Sequence, residues 1–320
     1  MLAVRFSELG DPSVLHVDDV EEPADPTGDQ VVVQVRASSV NGTDLGLRRG
    51  QVKIATWGRM PFTPGFDLAG EIVQCGPQVT AFAPGDRVMA LLGHGGGAQA
   101  ERVLLRQGRA ALAPRSCSLV EAAALPLAGL TALQALNRRA GLGGRPVGTK
   151  VLVIGASGGI GSFAVQLAKL AGAHVTAVAS GPKLAFAASL GADEVVDYRR
   201  RDITALPQRW DVILDCPAQY GFSSVRHLLT PDGVMVSTRP VSVDALRPAV
   251  PPRLRRDGRR WAAVAASARS QDLAHLAVLV DRGELQPNVH RSYPMVQAAE
   301  GHRHAEGSAV GKIVLEAPWT

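Results

Sequence analysis

The stretch Val151–Ser180, VLVIGASGGIGSFAVQLAKLAGAHVTAVAS, decides the fold. Val151–Ile154 is a short run of aliphatic and β-branched residues, the composition of a strand buried on both faces. A glycine cluster follows, and then Ile160, Phe163, Ala164, Leu167, Ala168 and Ala171 recur at i, i+3, i+4, i+7, i+8 and i+11. That period lays one apolar face of a helix on the sheet. Val175–Ala179 is a second apolar run, so the thirty residues read as strand, tight turn, helix, strand.

The turn is a variant of the G-x-G-x-x-G pattern, with Ala156 at its first position and Gly158 and Gly161 at the other two. Gly158 and Gly159 carry no side chain that would block a pyrophosphate, and the free N–H groups and dipole of the first helical turn favour an anion. Gly161 permits close packing of helix on strand. Between a buried strand and an amphipathic helix, the pattern points to a dinucleotide; a purely structural glycine turn is the alternative. An NAD site usually places an Asp or Glu about 20 residues on, yet Ser162–Ala192 contains no acid. The second strand ends in Ala179, Ser180 and Gly181 with Lys183 close behind, so a 2′-phosphate would meet a hydroxyl and a cation. NADP(H) is the expected coenzyme, with Lys183 as a plain surface lysine at a helix start the other reading.

Outward from this unit the alternation continues: helix Lys183–Leu190, strand Glu194–Val196, strand Val212–Asp215, helix Phe222–Leu229, strands Val234–Ser237 and Trp261–Ala265, helix Gln271–Arg282. That rhythm predicts a parallel sheet covered on both faces. The first ~120 residues differ, with β-branched runs at Asp29–Val40 and Gly70–Gly76, a turn before PGDRVMALL, and frequent Gly and Pro, which predicts a β-rich, partly barrel-like unit. Helical spacing begins at Ser118 and breaks at Pro126. Extended chain after Arg282, a helix ending near Gly307 and the strand-like GKIVLE (Gly311–Glu316) return to the first unit. The expected domains are therefore 1–119 completed by 287–320, and 120–286.

Composition narrows the class. A chain of 320 residues with 46% apolar and 20% charged residues folds as a globular protein of two domains. No apolar run approaches the ~20 residues needed to cross a bilayer, and the opening MLAVRF is not that of a signal peptide, so a cytoplasmic protein without a membrane role is expected. Cys75, Cys117 and Cys216 are far apart and offer neither a disulfide framework nor a cysteine zinc site. The net charge of +5 includes basic runs at Arg199–Arg201 and Arg253–Arg260, but these lack interleaved aromatics, so solvated surface is expected rather than nucleic-acid binding.

With ASSVNGTDLGLRRG (37–50), PFTPGFDLAGEIVQCGPQVTAFAPGDRV (61–88) and LPLAGLTALQAL (125–136), the glycine turn closely resembles the medium-chain dehydrogenase/reductase superfamily, in its zinc-independent quinone oxidoreductase branch. The resemblance runs over nearly the whole length, to GKIVLE. It implies an α/β chain made of a GroES-like β-rich catalytic domain plus a Rossmann doubly wound parallel sheet, with homodimers common. Zinc-dependent relatives place a cysteine before G-T-D and His-Glu after P-G; here Asn41 precedes Gly42–Thr43–Asp44, and Phe66–Asp67 follows Pro64–Gly65. Asp67 and His94 do not make a three-ligand site, so no metal is expected. A tyrosine often found three residues after the motif aspartate is Leu47 here.

By the same resemblance Asn41 is the candidate catalytic residue, near the nicotinamide, with a turn-forming Asn as its other reading. The candidate coenzyme contacts are Asn41, Thr131, Ser157, Gly158, Gly159, Ile160, Ser180, Lys183, Tyr198, Cys216 and Lys312. A strand-end surface aromatic is the other reading of Tyr198. The expected reaction is hydride transfer from NADPH to a quinone or α,β-unsaturated carbonyl, in a cleft formed by Asn41–Trp57, Pro61–Phe66, Leu91–Gly97 and the loop after Ser237, with Leu47, Trp57 and Phe62 as an apolar lining. Two alternatives stay open. One is an enoyl reductase acting on a thioester held by an acidic carrier protein, met by the basic 253–260 region; the other is a non-catalytic NADPH-binding or sensor protein.

Overall fold

The computed structural model describes residues 1–51, 60–93, 95–238, 257–307 and 309–317. It divides into two compact units, Met1–Leu130 with Ser267–Thr320, and Thr131–Ala266.

The second unit is built around the stretch with which the sequence is read. Strands β8 (Lys150–Ile154), β9 (His174–Ala179), β10 (Glu194–Asp197), β11 (Trp210–Asp215), β12 (Leu229–Ser237) and β13 (Arg260–Ala263) form one sheet in the order β10-β9-β8-β11-β12-β13. Every pairing in it is parallel. This is the doubly wound arrangement, with the chain reversing direction of travel between β8 and β11. Helix Gly159–Leu170 is buried from Gly161 to Ala168. A Cβ at Gly161 would overlap the carbonyl oxygen of Gly155, so this glycine is what lets the helix lie against the end of β8. Beneath the sheet a core of Leu152, Val178, Ile203, Trp210, Ile213, Leu228 and Met235 excludes water, and Trp210 satisfies its indole N–H on the Thr176 hydroxyl at 3.2 Å.

One expected helix is shorter than its sequence pattern. Phe222–Leu229 is α-helical only over Phe222–Val225, passes through a 3-10 turn and becomes strand at Leu229. Pro231 disfavours helix in the residue before it, and fully buried Leu229 pairs with Trp210 across the sheet.

The first unit holds a two-stranded ladder, β1 (Leu2–Arg5) on β2 (His16–Asp19), and a seven-stranded sheet. The sheet contains β3 (Gln30–Val40), β4 (Asp67–Cys75), β5 (Arg87–Leu91), β6 (Arg102–Arg106), β7 (Ala110–Leu112), β14 (Val289–Pro294) and β15 (Lys312–Glu316). Its path runs β14-β15-β3-β4-β5-β7, with β6 also on β3. β3 is long enough to pair its first half with β6 and its second half with β15. A helix the β-rich reading did not anticipate, Gly42–Arg48, follows β3 directly.

The units divide at Leu130/Thr131 and Ala266/Ser267, not at 119/120 and 286/287. Helix Ser270–Asp281 packs on β5 and β7 of the first sheet, and the Asp281 carboxylate accepts the Ser116 N–H at 2.9 Å. The absent side chain of Gly129 makes room for Leu276. Such tertiary contacts leave no mark in the periodicity of either helix.

Helix Ala298–Glu306 covers the same sheet and buries His302 completely, with no protein hydrogen-bond partner for either ring nitrogen among the described residues. Burial, reinforced by the Arg48 guanidinium, pushes His302 down to about 3 from 6.5; Arg48 itself pairs with Glu306. The neutral ring is favoured in the fold, so the stability it contributes is complete above pH ~6.5 and is lost as pH falls toward 3. At pH 5 the loss is about 2 kcal/mol. His302→Leu is expected to flatten the fall in melting temperature between pH 7 and pH 5; an unchanged slope would contradict this assignment.

Candidate active site

The coenzyme candidates of the second unit gather at one edge of its sheet. Ser157–Ile160 follow the end of β8, Ser180 and Lys183 the end of β9, Tyr198 the end of β10 and Cys216 the end of β11. Four adjacent parallel strands thus aim their carboxyl ends at one crevice, where open α/β sheets take their ligands. Gly158 is the N-cap of helix Gly159–Leu170, and a Cβ there would have only the Gly155 carbonyl oxygen near it, at 3.4 Å. The first-turn N–H groups lack intrahelical acceptors and point out of the helix end. A bare cradle beside a helix N-terminus fits a pyrophosphate.

Beyond β9 the chain makes a 3-10 turn, Gly181–Lys183. Ser180 is buried, Lys183 partly so, and Tyr198 is 48% exposed. Burial first, and then the Arg199 charge, hold the Lys183 ammonium below its usual range. A feature missing from the sequence reading stands in the same place. Asp197, the last residue of β10, is opposite Ala179 in the parallel register, and its Oδ2 comes within 2.8 Å of where a Cβ on Gly181 would sit. The run without acids from Ser162 to Ala192 therefore does not leave this turn free of a carboxylate, because the neighbouring strand delivers one. Cys216 is half-buried at the end of β11, where burial raises its thiol far above the usual range and keeps it protonated. Thr131 is buried in helix Pro126–Gln134.

Asn41 and Lys312 belong to the first unit, where they form a cluster of their own. β15 pairs antiparallel with β3, with Ile313 opposite Val40, which sets Lys312 beside Asn41. The Lys312 ammonium donates to the Val40 carbonyl at 3.1 Å and to Asn41 Oδ1, and lies 3.8 Å from Asp67 Oδ2. Asn41 Nδ2 donates to Asp67 Oδ2 at 2.9 Å and to the Ser39 carbonyl at 3.2 Å. The Ser39 hydroxyl donates to Asp67 Oδ2, and the Leu127 N–H to Asp67 Oδ1 at 2.7 Å. Asp44 accepts the Asn41 and Gly65 N–H groups at 2.8 and 2.7 Å.

Asn41 is thus no isolated turn residue: it is the N-cap position of helix Gly42–Arg48, and its side-chain amide bridges a buried cation and a buried anion. Both N–H bonds of that amide point into the protein. Lys312 is 3% exposed and Asp67 fully buried. Burial pushes the Asp67 carboxyl up and the Lys312 ammonium down, each opposed by the other's charge. Asp44, also buried, is pushed up to about 7, against the pull of its two backbone hydrogen bonds.

These residues do not fit a zinc ion. The positions that would bind it are an amide already bonded to an ammonium, an aromatic ring and a carboxylate facing the same ammonium, so a second cation would be repelled. Among the described residues no three His, Cys, Asp or Glu side chains cluster as ligands. His94, Trp57 and the loop after Ser237 from residue 239 lie outside the described residues, as do residues 253–256 of the basic run. Of the remaining expected lining, Leu47 and Phe62 are buried, with the Phe62 ring tilted by 46° against that of Phe6 at 5.5 Å between centroids. No helix among the described residues is long and apolar enough to cross a membrane.

Comparison with known proteins agrees with this architecture. The family described as alcohol dehydrogenase GroES-like domain matches residues 27–115, and that described as zinc-binding dehydrogenase matches residues 190–315. The chloroplast envelope quinone oxidoreductase homolog of Arabidopsis thaliana is 33% identical over 99% of this chain and 98% of its own. The chain belongs to the medium-chain dehydrogenase/reductase superfamily, in its quinone oxidoreductase-like branch. The mitochondrial NAD(P)H oxidoreductase RTN4IP1 of Bos taurus is 31% identical over 89% of this chain and 81% of its own. The solved quinone oxidoreductase of Coxiella burnetii superposes with a TM-score of 0.88 at 29% identity, covering 99% of each chain. This member of the superfamily is an oxidoreductase of the kind that uses a nicotinamide coenzyme.

Proposed function

We propose that the chain is a metal-independent, NADPH-dependent reductase that delivers hydride to a quinone or to the β-carbon of an α,β-unsaturated carbonyl. The observation that carries this reading is the glycine cradle at the end of β8, with Gly161 packed on Gly155 and the helix N-terminus open beside Gly158. When bound, the reduced nicotinamide supplies the hydride. The chain's own part is to hold and orient: main-chain N–H groups of Ser157–Ile160 take the pyrophosphate, and Ser180, Lys183 and Tyr198 take the adenosine end. Placement of this kind supplies much of the rate of a hydride transfer.

In the first unit the ammonium of Lys312 fixes Asp67 and the amide of Asn41. A conjugated acceptor suits such a site, because its developing charge spreads onto an oxygen that ordinary hydrogen bonds or water can serve. Leu47 supplies no phenolic proton. In the described part of the basic run Arg259 is already paired with Asp257 at 3.1 Å, which leaves the exposed Arg260 to serve the carrier-protein alternative.

The test is NADPH oxidation followed at 340 nm with a simple quinone and with an alkyl enone. Turnover of either acceptor well above the rate in buffer is expected. Tight NADPH binding with no oxidation across both acceptor classes would favour the non-catalytic reading instead.

A further inference from the structure

The turn after β9 carries cations and a carboxylate on the same few residues, and this bears on which coenzyme it selects. Asp197 is held rigidly. Its Oδ1 accepts the Arg199 N–H at 3.0 Å, its carbonyl accepts the N–H groups of Arg200 and Arg201, and its side chain is 12% exposed. Its Oδ2 overhangs Gly181, whose missing side chain leaves the room. Arg200 approaches it only to 3.8 Å with a guanidinium 86% exposed, too loose and too solvated to neutralise it. The same turn carries Lys183, and the charge of Arg199 acts on its ammonium.

We propose that Asp197 is a specificity-determining residue for the coenzyme: brought by register from the third strand to the place where NAD enzymes keep an acid on the second, it accepts the ribose 2′-hydroxyl of NADH and restrains the preference for NADPH that Lys183 and Ser180 create. The proposal rests on the nicotinamide-dinucleotide reading above. It goes further in saying that both coenzymes bind and that one carboxylate sets their ratio. A carboxylate roughly 6 Å from a phosphate charge, at an effective dielectric of ~40 between that of a protein surface and that of water, alters affinity by about tenfold.

The experiment is titration calorimetry of NADPH and NADH against the full chain, in the wild type and in Asp197→Asn, which keeps an oxygen for the Arg199 N–H. The ratio of the two dissociation constants, Kd(NADH)/Kd(NADPH), should rise about tenfold, with NADPH tighter and NADH weaker. Asp197→Ser, whose hydroxyl can also accept that N–H, should behave alike and serves if the Asn variant folds poorly. Lys183→Ala should move the ratio the opposite way. A ratio unchanged within twofold, or both coenzymes weakened equally, overturns the proposal and leaves Asp197 as a turn-former. The preference of the wild type alone tests the NADPH reading, so the two can fail separately; binding of neither coenzyme overturns both.

Discussion

Replacing Lys312 by methionine should cost the protein about 3–5 kcal/mol, because it leaves the buried Asp67 carboxylate without its cation and Asn41 Oδ1 without its donor. In a chain of this size that is a fall in melting temperature of about 4–7 °C. The pH dependence identifies the cause. Asp67 and Asp44 already sit above their ordinary value of 3.8 through burial, and the lysine pulls both down. Without it their folded values rise further above the unfolded value, so the penalty is largest at alkaline pH, where both carboxylates are charged, and shrinks as pH falls toward 3.8. Urea melts at pH 8 and pH 5.5 measure this. A deficit of equal size at both pH values would mean that lost packing, not an uncompensated charge, is the cause. A deficit under about 1 kcal/mol at pH 8 would remove the cluster from any account of how Asn41 is held.

Gly161→Ala and Gly158→Ala should separate packing from binding within one turn. The added methyl of the first meets the Gly155 carbonyl and the Ala156 Cα, which are backbone and cannot swing aside. The helix must move off β8, at about 1–3 kcal/mol, and the pyrophosphate cradle moves with it, so NADPH affinity should fall by tenfold or more. The second methyl has 3.4 Å to its nearest neighbour, and Gly158 has an ordinary extended conformation at φ −84°. Stability should change by less than about 1 kcal/mol, while the methyl intrudes at the mouth of the helix end and NADPH binding still weakens. Thermal melts with and without coenzyme distinguish the two. Unimpaired NADPH binding by both variants would refute the placement of the dinucleotide.

Most of the second unit was legible in the sequence because its signals are local. A buried strand reads as an apolar run and a covering helix as a 3.6-residue period, so β8, β9 and the helix between them fall where Val151–Ser180 puts them. The short helix Gly42–Arg48 was not legible: seven residues starting at a glycine carry too little periodicity, and its burial of Asp44 and Arg48 runs against hydropathy. Asn41, Lys312 and Asp67 each stood out as single residues. That they form one cluster did not, because Lys312 and Asn41 are 271 positions apart and meet only through the antiparallel register of β15 on β3.

What the sequence by itself determined is the cradle: Gly155, Gly158 and Gly161 between an apolar strand and an amphipathic helix dictate a bare turn at a helix N-terminus wherever the rest of the chain goes. What only the tertiary structure decided is the charge around it and in the other unit. Strand register brought the Asp197 carboxylate over Gly181 and set the Lys312 ammonium against Asn41 and Asp67. Register depends on which strands lie side by side, and no local pattern records that.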